Sequence, residues 1–336
     1  TSATQSQIAD NLIAKFTAAN ISSSIATISK DVNNNILVVV QGTTNVNTPT
    51  SNITLTNSDE DMIDYKDLLS GVTVNLSSNS ATSTGKTDTI YNIENVRGTE
   101  QKDIITGDAG ENTIYGLGAN DTIKGLDGSD YIDGGSGSDL VDYFGANLGI
   151  SVNLSLSGIN VTNDGYGNQE TLIGIENING TAQADQIIGD GLDNTLYGQA
   201  GSDIIKGGAG SDFIVGGAGS DTLSGGLGDD FIYGNLDTNP TTGDGNRDVV
   251  DYSESATGIK LNLHTTQTAY TLSEETAATF TAGTSTGEGT DKLFDIQDVI
   301  GTNQADTIIG DETSNIILGL ANNDILYGGI GSISDT

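Results

Sequence analysis

Aspartate stands at positions 203, 212, 221 and 230, nine residues apart each time, and the residue two places after each is Ile, Ile, Leu and Ile. From Gly207 the chain reads GGAGSDFIV, GGAGSDTLS and GGLGDDFIY without a break, and Gly134 opens another copy, GGSGSDLVD. The same frame runs through Asp103, Asn112, Asp121, Asp130 and Asp139, begins again at Asp185 and Asn194, and returns as Asp306, Asn315 and Asp324. A flexible linker does not hold an apolar residue in register over so many turns. The repetition specifies a coil in which each turn buries its apolar row only against its neighbours.

A longer repeat contains the short one. DMIDY at Asp61, DLVDY at Asp139 and DVVDY at Asp248 are one motif, and each leads to an alternating strand: GVTVNL from Gly71, GISVNL from Gly149, GIKLNL from Gly258. NIENVRGT from Asn92, GIENINGT from Gly174 and DIQDVIGT from Asp295 then open the nonapeptide blocks, whose first turns end in Asp108, Asp190 and Asp311. The third copy stops early, with Ile333 where Asp is expected. Residues 1–56 do not repeat. Ile8, Leu12, Ile13 and Phe16 share one face of a helix expected from near Thr4 to Asn20, and strands are expected around Ile25–Ser29 and Ile36–Gln41 across a turn at Asp31–Asn35. The expected domains are a small helix-plus-strands unit at 1–56 and three modules at 57–138, 139–247 and 248–336, the last truncated.

In a nonapeptide GGxGxDxUx, with U apolar, the last three residues suit a short strand that points U inward. The six before it turn the chain through half a circle, and glycine tolerates the positive φ this needs. Two nonapeptides close one coil, so loops on one edge stack at the ~4.8 Å spacing of paired strands. Asp103 then faces Asp121, Asp121 faces Asp139, Asp203 faces Asp221, and Asp212 faces Asp230. These carboxylates repel unless a cation lies between them. Calcium suits the place, because it accepts six to eight oxygen ligands from carboxylates and backbone carbonyls; magnesium demands a tighter octahedron and gives up water reluctantly. Zinc prefers His or Cys, and the chain has one His and no Cys.

Over roughly residues 97–143, 180–252 and 300–332 the sequence resembles the repeats-in-toxin (RTX), or hemolysin-type calcium-binding, proteins, with the most specific copies at Gly134 and from Gly207 to Tyr233. The resemblance implies an all-β fold, a right-handed parallel β-roll (β-helix solenoid) following the small N-terminal α+β unit. It also implies a chain unfolded at low calcium inside the cell, exported by type I secretion, and folded by several calcium ions outside. The candidate ligands are Asp103, Asp108, Asp121, Asp130, Asp139, Asp185, Asp190, Asp203, Asp212, Asp221, Asp230, Asp248, Asp306, Asp311 and Asp324. The copies at Gly116 (GLGAND) and Gly198 (GQAGSD) depart at a glycine, and Asn112, Asn194 and Asn315 offer a neutral ligand that weakens a site or leaves it empty.

A formal net charge of −35 supports this reading, since each bound ion offsets two charges and stabilises only the folded state. The same charge argues against nucleic acid, which needs a basic face, and against anionic membranes. The longest apolar run, Ile36–Val40, is far short of a membrane span. TSTGKT at Thr82–Thr87 lacks the first glycine of a phosphate loop, having Ser80 in its place. His264 has no second histidine with which to build a metalloprotease motif, and it reads as a packing residue, as do Tyr65, Tyr143 and Tyr252. Asn52 and Asn153 match a glycosylation triplet that this composition produces by chance.

The expected function is a non-enzymatic, calcium-binding structural roll of a secreted bacterial cell-surface protein. A surface-layer protein or large adhesin that self-assembles on calcium fits the three-module array. The alternative is the calcium-folded tail of a secreted protease, lipase, epimerase or toxin.

Overall fold

The computed structural model describes residues 61–235, 245–264, 284–287 and 289–328, and the backbone of the strands Ala26–Lys30, Ile36–Val40 and Asn52–Thr54. The helix expected at Thr4–Asn20 and the turn at Asp31–Asn35 lie outside the described residues. The two strands expected to flank that turn pair antiparallel, Ala26 opposite Val40. Among the described residues there is no helix, hence none long and apolar enough to cross a membrane. The fold is an all-β parallel β-roll. Its residues group into two compact units, 1–142 with 168–175, and 143–167 with 176–336.

In the first unit, strands Asn95–Arg97, Thr113–Gly118, Tyr131–Ser136 and Thr171–Ile173 stack in parallel on one wall. Ile104–Thr106, Thr122–Lys124 and Leu140–Asp142 do so on the other. The register is the repeat itself: Ile114 opposite Ile132, and Ile105 opposite Ile123. Because alternate residues of a strand face opposite ways, the residue two after each of the repeat Asp residues of this unit points inward. Val96, Ile114 and Ile132 therefore form one apolar column, and Ile105, Ile123 and Val141 form another, all fully buried.

The second unit is built in the same way. Ile178, Leu196, Ile214 and Ile232 line one wall, and Ile187, Ile205, Leu223 and Val250 the other. The VNL-type strands belong to the walls: Thr73–Asn75 pairs parallel with Ile104–Thr106, Ile150–Asn153 with Gln186–Ile188, and Lys260–Asn262 with Thr307–Ile309. Each also makes an antiparallel hairpin, with Ser80–Ser83, Val161–Asp164 and Thr284–Thr286. The TSTGKT segment lies in the first of these, where Ser80–Ser83 pairs with Lys86–Tyr91.

Glycine is demanded where coils approach closely. A Cβ on Gly219 (φ 142°) would run into the carbonyl oxygen of Gly201 one coil away. At the departing copies the chain keeps the same path with other residues in the left-handed region: Leu117 (φ 83°), Ala119 (φ 64°) and Gln199 (φ 81°). A left-handed non-glycine residue costs about 1–2 kcal/mol, more than the ~0.5–1 kcal/mol of extra backbone entropy that glycine loses on folding. Ala119→Gly is expected to raise the melting temperature of the calcium-loaded protein by an amount equivalent to up to about 1 kcal/mol. Gly219→Ala is expected to abolish the cooperative transition, and thermal denaturation followed by circular dichroism checks both.

Candidate metal centres

The repeat Asp sits at the edge of the roll, where the turn runs into the strand. In each pair of stacked coils the backbone N–H of one repeat Asp donates to Oδ1 of the next. Asp103 donates to Asp121 and Asp121 to Asp139, each at 2.7 Å. Asp185 donates to Asp203, Asp203 to Asp221 and Asn194 to Asp212, each at 2.8 Å. Asp212 donates to Asp230 at 2.9 Å, and Asn112 to Asp130 at 2.8 Å. The column continues past the nonapeptides, from Asp221 to Asp248 at 2.9 Å, and Asp306 N–H reaches Asp324 at 3.0 Å. The expected facing pairs are all brought together.

The second carboxylate oxygen divides these residues into two kinds. At the head of each block it is capped within its own turn. Asp103 Oδ2 accepts from Thr99 N–H at 2.6 Å, while its Oδ1 accepts from Val72 N–H and the Thr99 hydroxyl. Thr181 and Ile150 serve Asp185 in the same way, and Thr302 and Ile259 serve Asp306. One turn later, Asn112, Asn194 and Asn315 each accept from the N–H of Asp108, Asp190 or Asp311 at 2.9 Å. Their amides donate to the carbonyls of Glu94, Glu176 and Gln297. The three GD aspartates themselves close small turns, accepting from Gly110, Leu192 and Thr313 N–H.

In the nonapeptides proper, the residue four before the Asp is left-handed, as at Leu117 (φ 83°), Gln199 (φ 81°), Gly208 (φ 117°) and Gly226 (φ 101°). Its N–H joins the ladder of the loops, as that of Gly217 does with the Gly234 carbonyl, so it does not cap the carboxylate. Oδ2 of Asp121, Asp203, Asp212 and Asp230 is consequently buried and accepts no hydrogen bond from the protein. Each lies over a repeat-opening glycine. A Cβ on Gly207 would run into Asp212 Oδ2 and lie 2.6 Å from the Gly225 carbonyl oxygen, and a Cβ on Gly116 would meet Asp121 Oδ2 and the Gly134 carbonyl likewise. Carboxylate of one coil and carbonyl of the next thus share one small space.

A buried carboxylate oxygen without a donor is costly unless a positive charge faces it. Burial, reinforced by neighbouring carboxylates, raises the carboxyls of Asp121, Asp203 and Asp212 to about 7. Among the described residues no three Asp, Glu or His side chains converge on one point. The donors at these edges are therefore one or two carboxylates with backbone carbonyls, the all-oxygen set that a hard, flexible cation such as calcium takes. The residues fit the ion.

The RTX calcium-binding nonapeptide repeat, in a family model of four copies, matches residues 92–123, 106–141, 171–205, 179–214, 188–223, 206–239 and 300–332. These segments are RTX repeats. No curated protein matches its sequence. RTX nonapeptides bind multiple calcium ions, and the repeats of this chain supply the buried carboxylates and glycine-opened carbonyls for it.

Two groups of residues escaped the sequence reading. The threonines of the GT pairs, Thr99, Thr181 and Thr302, hold the first Asp of each block, and their signal was present in the repeated NVRGT, NINGT and DVIGT. Asp291, buried beneath Asp230 and raised by burial to about 7, has no neighbour at nine-residue spacing to announce it.

Asp203→Asn is expected to lower the calcium count by at least one in native mass spectrometry, whereas Asp185→Asn keeps the count and loses about 1–3 kcal/mol of stability through its broken cap. In chelator, the folded carboxyls near pH 7 lie above the unfolded value of about 3.9, so the metal-free roll binds more protons than the unfolded chain between those values. Its stability rises as pH falls through that window and is lost above it. Circular dichroism in chelator is expected to show more β-structure at pH 5.5 than at pH 8; the reverse order would contradict the assigned burial.

Proposed function

We propose that this chain is the calcium-folded structural β-roll of a secreted bacterial cell-surface protein, either a surface-layer protein or a large adhesin. The observation that carries the calcium part is the set of buried Oδ2 atoms of Asp121, Asp203 and Asp212, which accept no hydrogen bond and lie beside carbonyls of the next coil. In this reading the Asp columns hold calcium, the Thr-capped heads begin each block, and the acidic chain stays unfolded until it meets calcium outside the cell. The single histidine is buried against Glu312, with Nδ1 3.0 Å from Oε1, which fits packing better than proton transfer. The three-module array with its hairpin spacers supports a structural role at the cell surface, with calcium also drawing together acidic copies of the chain that otherwise repel.

Small-angle scattering in chelator and then in about 5 mM calcium, a level above the ~10⁻⁴–10⁻³ M typical of extracellular modules, tests both parts. The radius of gyration is expected to fall from roughly 65 Å toward the ~20 Å of a compact chain of this length, with an increase in mass as copies assemble. A radius that ignores calcium would overturn the calcium-folded reading. A collapse at constant monomer mass would uphold the calcium fold and overturn assembly on calcium, an outcome shared by a monomeric surface protein and the tail of a secreted enzyme or toxin.

A further inference from the structure

Residues Thr286–Phe294 read TGEGTDKLF, which follows GGxGxDxUx at every defined position except the first. They lie outside every segment matched by the nonapeptide model, 61 positions beyond the repeat Gly225–Tyr233. The structure nevertheless stacks them on that repeat as the next coil. Phe231 pairs with Lys292, Ile232 with Leu293 and Tyr233 with Phe294, all parallel. Lys292 N–H donates to the Asp230 carbonyl at 2.7 Å, as Phe231 N–H donates to that of Asp212 at 2.8 Å. Thr290 N–H donates to Asp229 Oδ1 at 2.8 Å, as Ser211 N–H does to Asp193 Oδ1 at 2.7 Å. A Cβ on Gly289 would run into the Gly228 carbonyl, as one on Gly228 would into that of Gly210. Asp230 N–H reaches Asp291 Oδ1 at 3.2 Å, the bond that joins successive Asp residues throughout the columns.

We propose that this hidden repeat completes a calcium site between Asp230 and Asp291 that clasps the returning hairpin strand to the end of the second nonapeptide block. Asp230 is fully buried and its Oδ2 accepts no hydrogen bond, as at the repeats whose next coil is a regular nonapeptide. Asp291 supplies the facing carboxylate. The one departure from the motif marks where the column ends. Thr286 replaces the opening glycine over which a repeat carboxylate folds, and Asp291 Oδ2 is instead held by the Tyr252 hydroxyl at 2.7 Å. The first unit contains a parallel case. Glu170, followed by an inward Leu172, stacks on Asp130, and a Cβ on Gly125 would meet Asp130 Oδ2 and lie 3.0 Å from Glu170 Oε1.

The proposal rests on the calcium reading of the repeat columns, and the test separates the two. Calcium ions are counted by native mass spectrometry on the folded population of the full chain, wild type against Asp291→Asn, with hydrogen exchange at residues 290–294. Loss of one ion, with at least tenfold faster exchange there and unchanged protection at residues 203–223, is the expected result. The same count and exchange in both proteins would overturn this site alone; a wild type that takes up no calcium would overturn the columns as well. Should Asp291→Asn yield no folded population, Asp291→Glu keeps the charge and moves it by one methylene. A calcium titration of that variant is expected to show one site weakened at least tenfold, and an unchanged titration would overturn the proposal.

Discussion

The structure depends on a carboxylate with only one of its two oxygens satisfied. Past the head of each block, Oδ1 of a repeat Asp takes the N–H of the Asp or Asn one coil earlier, which fixes the stacking distance and register together. Oδ2 is then left over a glycine, beside the carbonyls of the next coil. The inner Ile, Leu and Val columns follow from this, because their register is that of the Asp two residues before. Hydrophobic burial holds the walls, but the edges concentrate negative charge in carboxylates stacked coil upon coil. Adding the ion turns that repulsion into the attachment between coils.

Much of this was legible in the sequence, for a physical reason. A coil that repeats in space must repeat in sequence, so Asp203, Asp212, Asp221 and Asp230 give both the strand phase and the stacking partner. The distinction between capped and open carboxylates was not legible from the Asp pattern. Asp185 and Asp203 occupy the same place in the frame, and their difference lies four residues upstream. Thr181 donates its N–H to Asp185 Oδ2, whereas Gln199, with φ 81°, turns its N–H away. Backbone handedness at a non-glycine position leaves little trace in residue type. Likewise, Asp291 is remote in sequence because a hairpin intervenes, and only the stacked backbone shows it to be the successor of Asp230.

The hairpins show how the roll accommodates material that is not repetitive. Lys260–Asn262, Thr284–Thr286 and Thr290–Phe294 form a continuous antiparallel run, with a parallel neighbour on each outer side. The excursion therefore leaves no break in the wall. Aromatic rings mark the seam on its outer face, where Tyr233 and Phe294 stack at 4.3 Å and 9° in a column continued by Phe213 and Tyr197. In the first unit Arg97, Tyr115 and Tyr131 form a similar column.

The alternation of edges also bears on how such a chain can change over evolutionary time. Successive nonapeptides lie on opposite edges, so gaining or losing one transposes every later carboxylate to the other side and mismatches its partners. Gaining or losing two restores the phase, which makes eighteen residues the natural quantum of duplication within a block. The separations of 27 from Asp221 to Asp248 and 61 from Asp230 to Asp291 show the other permitted change. An insertion that leaves and re-enters at the same rung keeps the phase, so the surface of such a roll can vary while geometry alone holds its inner columns in register.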